Sequence, residues 1–297
     1  MDLIRRPSDK LAEWMKAAMT GRLAARLVFL LAIAASIVFA QYRRSSRPVE
    51  GERPPRQGIP DWELERNFKK DVFTFVRVKY DSAYGGWGRR GGGWATDWPD
   101  AELNFSYRLE QMTSLRVDPD GKFLELTDEE IFDYPFIYMI EPGAMVLSDE
   151  EAACLRRYLL SGGFLMVDDF WGEAAWENFY EQIRRAFPDR EPQELSLDHP
   201  IFRAVFPLSE KPQMPSIHHA MSYKGTPYQN YERPDAAEVH YKALFDDKGR
   251  MMAIICHNTD LGDGWEEEGV DPWYFNEFAE KKAYPMGINI VFYAMTH

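Results

Sequence analysis

The run Gly162-Gly163-Phe164-Leu165-Met166-Val167-Asp168-Asp169-Phe170-Trp171-Gly172 constrains the fold more than any other stretch of this chain. Its unbroken apolar tetrad is too short for a helix and lacks the alternation of a half-exposed strand. It therefore predicts a strand buried on both faces. Glycines precede it and two adjacent carboxylates end it. In a parallel α/β sheet the carboxyl end of a buried strand opens into the ligand crevice. Asp168 and Asp169 are thus expected where such proteins keep their chemistry, although no nucleophile stands beside them.

Strands and helices alternate around this run. Val72 to Tyr80 reads as a first strand, and a helix follows Asp97, with Pro99 and Asp100 suited to its first turn. Phe136 to Ile140 is a second buried strand. Ser148 and Glu151 form a capping box for a helix ending at Leu160, where Gly162 and Gly163 stop it. Trp176, Phe179, Tyr180, Ile183 and Phe187 mark one face of another helix. Glu238 to Phe245 and Met251 to Cys256, joined through Asp247-Lys248-Gly249, read as an antiparallel hairpin. Ile288 to Met295 is a closing apolar helix. This alternation predicts an α/β sandwich whose mostly parallel sheet has a mixed edge.

The charge is divided unequally. Residues 1–56 hold 11 Lys/Arg against 5 Asp/Glu, whereas the remainder holds 24 against 43. An acidic folded part argues against nucleic-acid binding, which needs basic surface to neutralise phosphates. The basic front end surrounds an apolar stretch, Leu23 to Ala40, flanked by Arg22 and Arg26 before it and Arg43, Arg44 and Arg47 after it. The basic region ahead of it is long for a signal peptide, so the expectation for residues 1–42 is a cytoplasmic leader and an uncleaved transmembrane anchor. The domain beyond it would then lie outside the cytoplasm. Cleavage as a signal after Val38-Phe39-Ala40 is the alternative, followed by a buried amphipathic helix of a soluble protein. Residues 43–70, with Pro48, Pro54, Pro55 and Pro60 among charges, read as a linker, and residues 71–297 as one domain.

Three groups of residues invite a chemical reading. The glycine-rich loop from Tyr84 to Trp94 satisfies GxGxxG at Gly86, Gly88 and Gly91. The following helix opens too late for its N-terminus to meet a pyrophosphate, so no nucleotide is expected. Trp87, Trp94 and Trp98 would instead offer rings for stacking on a sugar or a partner. A second acidic stretch, His257 to Glu266, follows a strand and brings Asp260, Asp263 and Glu266 toward the crevice. With Asp168 and Asp169 these could take up a hard cation, for which Asp169, Asp260 and Asp263 are the candidate ligands. No other cofactor is expected, and a solvated acidic loop is the plainer reading. His218 and His219 add candidate bases beside Asp168 and Asp169. Cys154, within a helix, and Cys256, at a strand end, read as buried free thiols, with a disulfide between them left open. His257 follows Cys256 directly but points to the opposite face of the strand.

The segments Gly162 to Gly172, Leu197-Asp198-His199-Pro200-Ile201-Phe202, Thr259 to Glu266 (TDLGDGWE) and Met286-Gly287-Ile288-Asn289-Ile290-Val291, in this order, resemble domain-of-unknown-function family 4159. The resemblance covers most of Asp71 to His297. It implies a class I glutamine amidotransferase-like fold, a flavodoxin-like three-layer α/β/α sandwich. It also implies a setting beside AAA-type ATPases and von Willebrand A-type membrane proteins in bacterial envelope gene clusters, and so a bacterial inner membrane for the anchor and the periplasm for the domain. The amidotransferase triad has no counterpart: the central strand ends in Asp168-Asp169, with no cysteine at a strand–helix elbow. Fold therefore transfers where activity does not. Two functions follow as expectations. One is a non-catalytic, membrane-tethered domain that binds a ligand or an envelope protein through its tryptophans and carboxylates. The other is a hydrolase using Asp168 or Asp169 with a divalent cation.

Overall fold

The computed structural model describes residues 53–56, 58–64, 71–83 and 93–297. The expected anchor (Leu23 to Ala40) and Trp87 lie outside these residues. Among the described residues no helix is long and apolar enough to cross a membrane.

The strands are β1 (Val76–Lys79), β2 (Asp81–Ser82), β3 (Lys122–Glu125), β4 (Phe136–Ile140), β5 (Met145–Val146), β6 (Phe164–Asp168), β7 (Gln193–Glu194), β8 (His240–Phe245) and β9 (Met251–His257). Seven of them form the central sheet in the order β3-β1-β4-β6-β9-β8-β7, and β2 pairs only with β5. The first five in that order are parallel, while β8 and β7 add an antiparallel edge. Counted along the chain, the parallel strands are ordered 2-1-3-4-5, the doubly wound order also found in flavodoxin. The expected mostly parallel sheet with a mixed edge is what the chain forms.

The helices are α1 (Asp100–Met112), α2 (Asp149–Leu160), α3 (Glu173–Ala186), α4 (Ile217–Ser222), α5 (Leu261–Glu266) and α6 (Tyr284–Thr296). Strand alternation sends side chains to two separate cores. Phe75, Phe136, Tyr138, Ile140, Phe164, Met166, Ile254 and Cys256 point to the side of α1, α5 and α6. Val76, Val78, Ile137, Met139, Leu165, Val167, Ala253 and Ile255 point to the side of α2 and α3. This two-sided burial is why β4 and β6 read as continuous apolar runs.

Local signals act as expected in several places. Both hydrogen bonds of the Ser148–Glu151 capping box form. Gly162, at φ 114°, reverses the chain after α2. Gly163 passes so close to Tyr158 that a Cβ would lie 2.3 Å from its ring. At the hairpin, Asp246 Oδ1 accepts from the amides of Lys248 and Arg250. The stretch expected to be a linker makes contacts with the domain before Asp71. Trp62 donates from Nε1 to Val117 O at 2.8 Å, and Arg53 and Arg56 pair with Asp120.

The closing helix is longer than expected. A helical turn, Pro272–Tyr274, leads into π-helical backbone over Phe275–Ala283, and α6 continues from it. Two of the motifs singled out above interlock here. Asn289 Oδ1 accepts from the amides of Val205 and Phe206, and its Nδ2 donates to Phe206 O. Those residues follow the turn Pro200–Arg203, which His199 caps through Nδ1. Gly287 faces Phe105 and Trp265, and a Cβ there would stand 2.6 Å from each ring. We expect Gly287→Ala to lower stability by about 1–3 kcal/mol through overpacking, measured by urea unfolding. An unchanged midpoint would show that the α1–α5–α6 contact is loose.

Candidate active-site crevice

The order of the parallel strands reverses direction between β1 and β4, and in such sheets the crevice lies outside the carboxyl ends at that switch point. The backbone marks the same place. Among the described residues the non-glycine residues with positive φ are Asp97, Glu141, Asp169 and Asn258, at 62°, 49°, 54° and 63°. The last three directly follow β4, β6 and β9. Left-handed backbone is tolerated by Asp and Asn and is costly for Glu, and such residues concentrate at functional sites.

Asp168 is wholly buried and turned to structural use. Its Oδ2 accepts from the Tyr138 hydroxyl at 3.2 Å and from the amides of Leu261 and Gly262 at 2.9 and 3.0 Å. It thus binds the first turn of α5 to the tip of β6. The first turn of α3 is met by a different carboxylate, Asp235, which accepts from Glu173 N. Burial pushes the Asp168 carboxyl up to about 7 despite these donors. Asp169, also buried, accepts from Trp171 Nε1 at 3.0 Å through Oδ1. Burial, then Glu141, Asp97 and Glu232, hold its carboxyl well above the ordinary carboxylate range.

The stretch expected to be a solvated acidic loop is the helix α5. Asp260 caps it, accepting from Asp263 N at 2.8 Å, and Leu261 and Trp265 bury its inner side. Asp263 is buried too, with Oδ2 accepting from Ile217 N at 2.7 Å and from the Tyr274 hydroxyl at 2.8 Å. Gly264 permits this packing, since a Cβ would lie 2.6 Å from Ala283 and Met214. Glu266 ends the helix. Its carboxylate and those of Asp263 and Asp97 bring oxygens within 4.8 Å of one another. Of the expected ligand trio, Asp263 belongs to this cluster, whereas Asp169 and Asp260 stand beside it as charged neighbours.

Asp97, Glu141, Glu232 and the Arg77–Glu102 pair were not among the expected site residues. Arg77 is the one buried arginine or lysine among the described residues. It pairs with Glu102 of α1 and donates to the carbonyls of Trp94 and Thr96, so it holds the loop that presents Asp97. The acid immediately before the expected helix start was the available signal for Asp97.

Other expectations are corrected. Trp94 and Trp98 are buried, with their rings 5.1 and 5.5 Å from that of Phe123, and offer no exposed stacking surface. Neighbouring glycines suggested exposure, but indole burial outweighs them. His218 is exposed, and His219 Nε2 meets Tyr228 O at 2.9 Å rather than either carboxylate. Cys256 is buried, Cys154 is half-buried, and they form no disulfide. Burial pushes the Cys256 thiol far up. His257 lies on the opposite face, beside Phe170 and Trp176.

So many buried and half-buried carboxyl groups carry a pH signature. Glu266 is pushed up to about 10, Glu141 and Asp168 to about 7, and Asp97 to about 6, each chiefly by burial. Their folded-state values exceed the unfolded ones, so the folded state binds more protons and stability falls as pH rises. Below about pH 6.5 His257 opposes this, because burial lowers its imidazole to about 4. In chelator, therefore, the melting temperature should be higher at pH 6.5 than at pH 8.5, and a flat profile would contradict the burial of these acids. Asp168→Ala, which strands three donors, should cost on the order of 2–4 kcal/mol in urea unfolding. Asp168→Asn keeps an acceptor and should cost clearly less; equal losses would show that charge, not hydrogen bonding, matters there.

The chain matches the family described as Domain of unknown function (DUF4159) over residues 74–295, and it belongs to that family. The matched span contains the whole crevice, from Asp97 to Glu266. No curated protein matches the chain.

Proposed function

We propose that this DUF4159 domain is a non-catalytic binding module whose crevice takes up a cationic ligand, and that it works as a tethered assembly or ligand-binding part of the bacterial envelope. The observation that carries this reading is the convergence of Asp97, Glu141, Asp169, Asp260, Asp263 and Glu266 at the switch point. The buried guanidinium nearest to them, Arg77, is already engaged by Glu102. Asp169, Asp260 and Asp263 are buried and the other three half-buried. Acids gathered this densely are stabilised in their ionised form by a positive partner, and a cleft lined by one sign of charge concentrates the opposite sign. The roles of Asp168 and Cys256 speak for binding over hydrolysis, since the first is taken up by α5 and the second is sealed in β9. The class I glutamine amidotransferase-like assignment, the N-terminal anchor and the periplasmic orientation belong to the same proposal. The parallel strand order supports the first, and the basic and apolar composition of residues 1–42 supports the others.

The reading is tested by thermal unfolding of the full-length chain in EDTA, followed by addition of calcium, magnesium, spermidine, oligolysine or neutral sugars. A ligand that binds only the folded state stabilises it by about 2.7 kcal/mol at 100 times its dissociation constant. We expect at least one cationic compound to raise the midpoint, and Asp260→Asn to diminish that rise. Stabilisation by neutral sugars alone, or by nothing in the panel, would overturn it.

A further inference from the structure

We infer that Asp97, Asp263 and Glu266 form a binding site for a hard divalent cation of calcium size, which joins the loop ahead of α1 to helix α5. The inference rests on the reading of the crevice as cation-binding and names the ion and its ligands.

The first support is geometric. Oxygens bound to one calcium ion at about 2.4 Å lie no more than about 4.8 Å apart. The three carboxylates bring oxygens within that spacing of one another. The donor set is all oxygen, which suits calcium or magnesium rather than a thiolate- or imidazole-seeking metal.

The second support is an atom without a donor or a cation beside it. Asp97 Oδ2 is shielded from solvent and accepts from no N–H group, and the side-chain contact of this carboxyl is to another acid, Glu266. Buried polar atoms are nearly always partnered, so an orphan calls for an explanation such as an ion. This oxygen lies against Gly262, where a Cβ would come within 2.8 Å of it. The amide of the same glycine donates to Asp168. The wholly buried Asp168 carboxylate likewise has one partnerless oxygen, Oδ1. Two orphaned carboxylate oxygens therefore flank the first turn of α5.

The surroundings orient the ligands as outer-shell groups do around metals. Ile217 N and the Tyr274 hydroxyl occupy Oδ2 of Asp263 and leave Oδ1 for the ion. Arg77 grips the carbonyls of Trp94 and Thr96, just ahead of Asp97. Arg77 pairs with Glu102 and offsets part of the charge of Asp97, but no cation pairs with Asp263 or Glu266 among the described residues.

Isothermal titration of the EDTA-stripped full-length chain with calcium chloride, and separately with magnesium chloride, tests the site. We expect one saturable calcium site, weakened about tenfold or more in Asp97→Asn and in Glu266→Gln. Thermal unfolding supplies a readout that a purely structural role would not move. In EDTA each variant should be no less stable than the wild type, because an amide replaces a carboxyl that its acidic neighbours and burial already disfavour in the charged form. In calcium the wild type should gain stability and the variants should not. Calcium binding unchanged in both variants would overturn the assignment of ligands. Absence of saturable heat from either ion, with spermidine or oligolysine still stabilising the chain, would overturn the inference and leave the cationic-ligand reading standing. Absence of every response would overturn both.

Discussion

A carboxylate sealed inside a protein must be given enough donors to offset its lost hydration. At Asp168 the donors come from two different elements. The Tyr138 hydroxyl belongs to β4, and the amides of Leu261 and Gly262 open α5. Satisfying that one side chain therefore fixes where α5 begins. The positions of Asp260, Asp263 and Glu266 follow from helical geometry. On β1, two strands away, Arg77 plays the reciprocal part, a buried cation whose acceptors include Glu102 and the carbonyls ahead of Asp97. Two buried polar side chains, one on β1 and one on β6, thus draw separate segments of chain over the end of the sheet.

Where burial on both faces dictated the residues, the structure was readable in advance. Phe136 to Ile140 and Phe164 to Val167 are strands because nothing else accommodates such runs in a layered core, and α2 starts at Ser148 because its capping box satisfies the first amides. Strand β3 escaped notice because only Leu124 of its four residues is buried, leaving no pattern to detect. Helix α5 was misread for a physical reason. Asp260, Gly262, Asp263 and Gly264 are the residues of turns, and they outweighed Leu261 and Trp265, whose spacing of four is that of a helix face. The glycines serve close packing there, against Tyr138, Ala283 and Met214.

The candidate site was legible only in outline. Its location at the tip of β6 followed from topology, and the family motif TDLGDGWE supplied Asp263 and Glu266. The role of Asp168 as an anchor rather than a ligand, and the arrival of Asp97, depend on contacts between residues far apart in the chain. No local pattern encodes those contacts. The same applies to Trp94 and Trp98, whose burial depends on Phe123 from the unrecognised edge strand.

The distance along the chain between Asp97 and α5 has its own consequence. Between them lie β3 to β9 and the helices α1 to α4, the whole central sheet apart from β1. A ligand held at both ends closes a very long loop, and the entropy that such closure removes from the unfolded chain grows with loop length. The crevice is therefore complete only when the last parallel strand has docked. A ligand bound there would act as a clasp on the finished sheet and would add its binding free energy to the stability of the fold.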